Sequence, residues 1–226
     1  MAKNKKITVT NSDLGLEEGI KKLKELCKTN QKKFDESIDI AVKLGIDTKQ
    51  SDQSVKGSVV LPAGSGKKVK VLVFTADDTI SKSALDAGAS LVGLEDLITK
   101  IEGGFLDFDY CIATPDVMQK ISKVAKKLGP RGLMPSPKNG TVTQDVVKAV
   151  KDALKGKINF KNDKAGIIHC LVGKASFEVK DLISNINSVV KAVKDAKPEG
   201  SKGKYIRNFY INSTMGSAIK INPESI

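Results

Sequence analysis

Between Val117 and Gln144 six cationic side chains occur with no acidic residue among them: Lys120, Lys123, Lys126, Lys127, Arg131 and Lys138. The chemistry open to such a run is attraction of phosphate, which lysine engages as a point charge. The last two cations sit in Leu128–Gly140, which packs three of the seven prolines and three glycines into thirteen residues. Proline fixes φ, and glycine opens turns closed to other residues. The sequence therefore predicts a stiff, irregular surface loop after a basic helix. The same lysines also read as the solvated face of that helix.

Other residues with chemical capacity are isolated. Gly64-Ser65-Gly66-Lys67 hints at a phosphate loop. It fails the G-x-x-x-x-G-K-[ST] pattern, with Leu61 at the first position and Lys68 after the lysine. No G-x-G-x-x-G follows the apolar run Val69–Phe74, so a dinucleotide site lacks support. Asp77-Asp78 and the pair Asp107 and Asp109 read as caps or loop residues. His169, the single histidine, lies beside Cys170 on an apparent strand and reads as a buried structural residue. Cys27, Cys111 and Cys170 have no CxxC spacing and read as reduced thiols of a cytosolic protein. The expectation is no catalytic residue, no metal site and no cofactor.

Two segments suit RNA better. Lys32-Lys33-Phe34-Asp35-Glu36-Ser37 leads into a strand with a polar face. There Lys33 can reach phosphate, and Phe34 either packs in the core or stacks on a base or ribose. Ser213-Thr214-Met215-Gly216-Ser217 offers hydroxyls and backbone donors, with Gly216 permitting close approach. Such groups match 2′-OH and phosphate oxygens. The same composition also makes an ordinary polar hairpin bend.

Composition agrees with a polyanionic partner. The chain has 226 residues and a net charge of +12, with a pI near 9.5. Only Arg131 and Arg207 are arginine, so recognition of backbone and shape fits better than base reading in a major groove. No apolar run reaches the roughly 18 residues of a membrane span. The basic start, Met1–Lys6, is not followed by a signal-peptide apolar region.

Periodicity supplies the elements that position these residues. A helix is expected over 14–28, capped by Asn11, Ser12 or Asp13, then strands Ser37–Leu44 and Val55–Leu61. Strands Val69–Phe74, Ser90–Gly93 and Tyr110–Ala113 then alternate with helices Ile80–Ala87, Leu94–Ile101, Pro115–Leu128 and Gln144–Leu154. That alternation predicts a parallel sheet covered on both faces. Strand Ile167–Val172, helix Val179–Ala196 and strands Tyr205–Asn212 and Ala218–Ile221 follow. Neither end segment holds enough elements to fold alone. Joined, they supply four or five strands and two helices. The expected architecture is a split α+β domain, residues 1–67 with 158–226, carrying an antiparallel sheet. A Rossmann-like three-layer α/β domain, 68–157, is inserted in it. The split domain carries a net +9 and the insert +3 of the total +12.

Leu128–Gly140 with its basic lead-in, Thr214-Met215-Gly216, Lys33-Phe34-Asp35-Glu36 and Gly173-Lys174-Ala175-Ser176-Phe177 together resemble the L-one family of large-subunit ribosomal proteins, bacterial type. The resemblance runs over nearly the whole chain. It implies a non-enzymatic protein that binds a large-subunit rRNA stem-loop and forms the mobile stalk beside the exit-site tRNA. It also implies help in releasing deacylated tRNA, and binding of its own mRNA to repress translation. Carried over by position, the rRNA contacts are Lys33, Phe34, Glu36, Ser37, Lys174, Ser176, Thr214, Met215 and Gly216. Lys126, Lys127, Arg131 and Lys138 are candidates for a tRNA or second RNA contact on their charge, with no family role carried over to Arg131 or Lys138. The protein is expected in the cytoplasm, ribosome-bound, and monomeric off the ribosome. Two departures are Ala63, where the family usually has histidine, and Lys56, where it usually has arginine. The other readings weighed are a free RNA-binding regulator and an α/β enzyme using the insert.

Overall fold

The computed structural model describes residues 10–30, 32–48, 53–137, 140–198, 200–201 and 203–225. In chain order the elements are β1 (Thr10–Leu14), α1 (Leu16–Thr29), β2 (Ser37–Leu44), β3 (Lys56–Val60), β4 (Val71–Phe74), α2 (Asp78–Asp86), β5 (Leu91–Gly93), α3 (Glu95–Glu102) and β6 (Tyr110–Ala113). They continue with α4 (Met118–Ile121), α5 (Ala125–Leu128), α6 (Val146–Leu154), β7 (Lys157–Lys161), β8 (Ile167–Lys174), α7 (Val179–Asp195), β9 (Ile206–Ser213) and β10 (Ile219–Ile221). The chain divides into two units. One runs up to Gly66 and resumes at Ile158; the other is Lys67–Lys157.

The first unit holds a five-stranded sheet in the order β1-β10-β9-β2-β8 and a two-stranded ribbon, β3-β7. β2 sits in the interior of the sheet. Ile38, Ile40, Val42 and Leu44 are buried, while Ser37, Asp39, Ala41 and Lys43 take the other face. That period of two is what a sheet covered on one side requires. The cover is α1 and α7. α1 buries Leu16, Ile20 and Leu23, with Glu17 and Glu18 in its first turn and Lys28 in its last, as the helix dipole favours. α7 buries Leu182, Ile186, Val189, Val190 and Val193. α1 approaches β10 so closely that a Cβ on Gly19 would lie 2.1 Å from Ile221 Cδ1.

Three expectations are corrected in this unit. Its described residues form seven strands, where four or five were expected: β1, with one apolar residue in TNSDL, and β7, with only Ile158 and Phe160 alternating, are the additions. Asn11, Ser12 and Asp13, expected to cap α1, lie within β1, and the N-cap is Gly15 with no side-chain cap bond. The five-stranded sheet is not wholly antiparallel: β1 pairs with β10 in parallel, Thr10 opposite Ile219.

The second unit contains a parallel three-stranded sheet, β5-β4-β6. All four residues of β4 and of β6 are buried. Leu72, Phe74, Cys111 and Ala113 join one apolar cluster with Leu97, Ile101, Ile121 and Leu128. Val71, Val73, Tyr110 and Ile112 join another with Ala84, Val146 and Val150. The expected helix Pro115–Leu128 is broken into α4 and α5 by 3-10 turns at Pro115–Val117 and Ser122–Val124. Its buried stripe, Val117, Ile121, Val124 and Leu128, has helical spacing. The Ser122 hydroxyl donates to the Gln119 carbonyl at 2.6 Å, a local back-bond of the kind that competes with regular helix.

Candidate nucleic-acid interface

Antiparallel pairing gathers the sequence motifs. β2 begins at Ser37, whereas β8 and β9, its two neighbours, end there. Ser37 lies opposite Lys174, and Ile38 lies opposite Ser213. The segments Lys33–Glu36, Ala175–Phe177 and Thr214–Gly216 therefore meet at one end of the sheet, although up to about 180 residues apart in sequence. Hydrogen bonds tie them together. Lys174 Nζ donates to Ser37 Oγ at 3.1 Å and to the Asp35 carbonyl at 3.3 Å. Ser176 donates to the Asp35 carboxylate from its N–H at 3.2 Å and its hydroxyl at 2.7 Å. The Ser37 N–H donates to Thr214 Oγ1, and the Thr214 N–H donates back to the Ser37 carbonyl, each at 3.0 Å.

Exposure divides the nine residues by role. Phe34 is 53% and Met215 64% exposed, and Lys33, Ser176, Thr214 and Gly216 also reach the surface. Phe34 is thus not a core residue. Ser37 and Lys174 are half-buried and already bonded to each other. Glu36 is 5% exposed, and its Oε2 accepts the Met215 N–H at 3.1 Å. It shapes the surface rather than forming it. Gly216 sits close against its neighbour: a Cβ there would lie 2.3 Å from Ser213 Oγ, so a larger residue needs that hydroxyl to turn away. The surface left open combines an ammonium, hydroxyls, a flat aromatic and a thioether. That mixture suits phosphate, ribose 2′-OH and base faces together.

On the open face of the sheet, burial raises the Asp39 carboxyl above its ordinary value, against the pull of the His169 and Lys174 charges. His169 is not buried as expected. It is exposed, opposite Ala41, with Nε2 3.9 Å from Asp163 Oδ2. Sequence reasoning also missed Asp35, which holds Ser176. Its signal was its place inside the Lys33–Glu36 motif.

The remaining candidates are accounted for structurally. The loop before Lys67 is tied to α7: the buried Asn185 accepts the Ala63 N–H at 3.0 Å and donates to the Gly64 carbonyl at 3.0 Å. Asp109 pairs with Lys67, and Asp107 with Lys70, each at 2.5 Å. Among the described residues no cluster of His, Cys, Asp or Glu could hold a metal ion. No described helix is long and apolar enough to cross a membrane.

In the second unit, Lys126, Lys127 and Arg131 lie at the surface. Lys127 Nζ donates to the Glu102 carbonyl. Lys138 lies outside the described residues. The loop behind them is anchored at its base: Leu128 and Pro135 are buried, and the Ser136 N–H donates to Thr141 Oγ1 at 2.8 Å.

Comparison with known proteins gives the same direction. The Ribosomal protein L1p/L10e family matches residues 23–217. The large ribosomal subunit protein uL1 of Aromatoleum aromaticum is 54% identical over 194 residues, covering 86% of this chain and 83% of its own length. Its counterpart in Nitrosomonas europaea is 52% identical over 194 residues, covering 86% and 84%. That of Coxiella burnetii is 49% identical over 211 residues, covering 93% and 89%. With its sheet-end motifs in place and most of its length matched, the chain belongs to the ribosomal protein L1p/L10e family.

Proposed function

We propose that this protein is a structural, non-catalytic component of the large ribosomal subunit, working in the cytoplasm, and that the sheet end of its first unit binds a stem-loop of large-subunit rRNA. The observation that carries the reading is the convergence of Lys33–Ser37, Lys174–Ser176 and Thr214–Gly216 at the head of β2. The open groups there address phosphate and ribose, which a lysine-rich chain needs in order to hold a folded RNA by shape. The split unit is the rRNA-binding domain. The inserted unit, as a Rossmann-like body, is the reaching arm of a mobile stalk. Lys126, Lys127, Arg131 and Lys138 meet the exit-site tRNA and assist release of the deacylated form. The same sheet end binds the protein's own mRNA at a similar structure and represses its translation. Off the ribosome the protein is a monomer.

Crosslinking the protein in cells and sequencing the attached RNA tests this. One large-subunit rRNA segment should dominate, with its own mRNA and tRNA as lesser products. Binding in vitro should weaken with salt, with a log–log slope of roughly 0.7–0.9 per phosphate contacted. Uniform recovery of bulk RNA would overturn the reading.

A further inference from the structure

We propose that the hollow between the C-terminal half of α1 and the Lys32–Glu36 segment receives one unpaired nucleotide of the bound RNA. The inference rests on the RNA-binding reading above and names what one part of that surface holds. The hollow has a volume of about 430 Å³, and Lys24, Cys27, Lys28, Lys32, Phe34 and Ala175 are among its walls. Small-molecule sites run from roughly 300 to 1,000 Å³, so one nucleotide fits where a stacked duplex does not.

Charge selects the occupant. Lys33 lines the hollow too, and Lys28, Lys32 and Lys33 are exposed. Lys24 is partly committed, its Nζ donating to the Phe177 carbonyl. The two carboxylates of the wall are also engaged. Asp35 accepts both donors of Ser176, and Glu36 accepts the Met215 N–H. What remains is cationic, with an exposed aromatic ring and the small side chains of Cys27 and Ala175. An aromatic ring beside ammonium groups stacks a splayed base while its phosphate is neutralised. A base held inside a helix offers no face to Phe34, so the occupant is unpaired.

The test uses the full chain and deproteinised large-subunit rRNA, trimmed to the fragment that the protein protects from nuclease. An abasic site is placed at each unpaired position in turn. One position should weaken wild-type binding roughly tenfold, as removal of one stacked base does. Phe34→Leu, and separately Ala175→Leu, which fills the hollow, should weaken binding to the intact fragment by a similar factor. Neither should add much on the abasic fragment. The pair Lys28→Glu and Lys32→Glu should reduce the salt slope by about one for each phosphate that is no longer neutralised. Circular dichroism checks that each variant is folded, and Phe34→Leu alone suffices if Ala175→Leu is not. Tolerance of every abasic position, or full additivity with Phe34→Leu, overturns the proposal while RNA binding stands. Weakening by the lysine changes alone would assign the hollow to backbone phosphate, and also ends the proposal. If the full chain protects no fragment, the RNA-binding reading itself fails.

Discussion

Glu36 and Met215, 179 residues apart, are joined by one bond: the buried carboxylate accepts the Met215 N–H at 3.1 Å. The Thr214–Gly216 bend is thereby fastened to the segment entering β2. Glu36→Ala would leave that N–H without its partner, at a cost of about 1–3 kcal/mol. Both thermal stability and RNA affinity should fall. Glu36→Gln keeps an oxygen that can accept the same N–H and should retain most of each. If calorimetry and filter binding find the two variants equally weak, the carboxylate charge matters rather than the bond.

Gly216 and Ser213 form a steric pair. Gly216→Ala places a Cβ 2.3 Å from Ser213 Oγ, and such overpacking costs about 1–3 kcal/mol. The double change Ser213→Ala with Gly216→Ala removes the clashing oxygen and leaves Ser213 Cβ at 3.5 Å. Urea denaturation should show the double variant to be more stable than Gly216→Ala alone. Equal stabilities would mean that the bend simply shifts.

Removing residues 68–157 and joining Lys67 to Ile158 through a short glycine-serine linker should leave a folding unit. That unit keeps both of its helices and its own apolar core. It also keeps the whole sheet end and a net +9 of the chain's +12. Its melting curve should be cooperative and its rRNA affinity near that of the full chain. A cooperative melt with affinity down a hundredfold, about 2.8 kcal/mol, would move the main RNA site onto the insert.

Asp39 makes stability depend on pH. Its folded-state value is raised above the ordinary 3.8, chiefly by burial. The native form therefore holds the proton more tightly than the unfolded chain. This group's contribution falls as pH rises from 3.8 through the raised value, and it stays unfavourable above that. Asp39→Asn should raise Tm at neutral pH, and the gain should vanish at acid pH, where wild type is protonated. A gain independent of pH would assign the effect to packing.

Most elements were legible because their burial is periodic. The alternation in Ser37–Leu44 and the stripe in Val179–Asp195 are direct records of one covered face. β1 was not legible, since its backbone bonds go to β10, more than two hundred residues away, and no local pattern records that. The 3-10 turns within Pro115–Leu128 leave the spacing of its buried residues intact, so a count of apolar residues does not register them. At the candidate site the motifs were visible, but not their division. Glu36 and Phe34 are two residues apart in one motif. Only the pairing of β2 with β9 turns the first inward onto Met215.

The sheet order also dictates when this protein becomes competent during synthesis. The insert is made entirely of consecutive residues and can close as soon as they emerge. The head of β2 must wait for Lys174, then for the bend at Gly216, while β1 waits for β10. Such distant pairings form late and slowly. A nascent chain halted before β9 would carry Lys33 and Phe34 but lack the Thr214–Gly216 wall of the site. On the reading that this sheet end is the RNA site, capture is postponed until β9 and the bend at Gly216 have been made, so fragments halted before them should not compete for the same RNA.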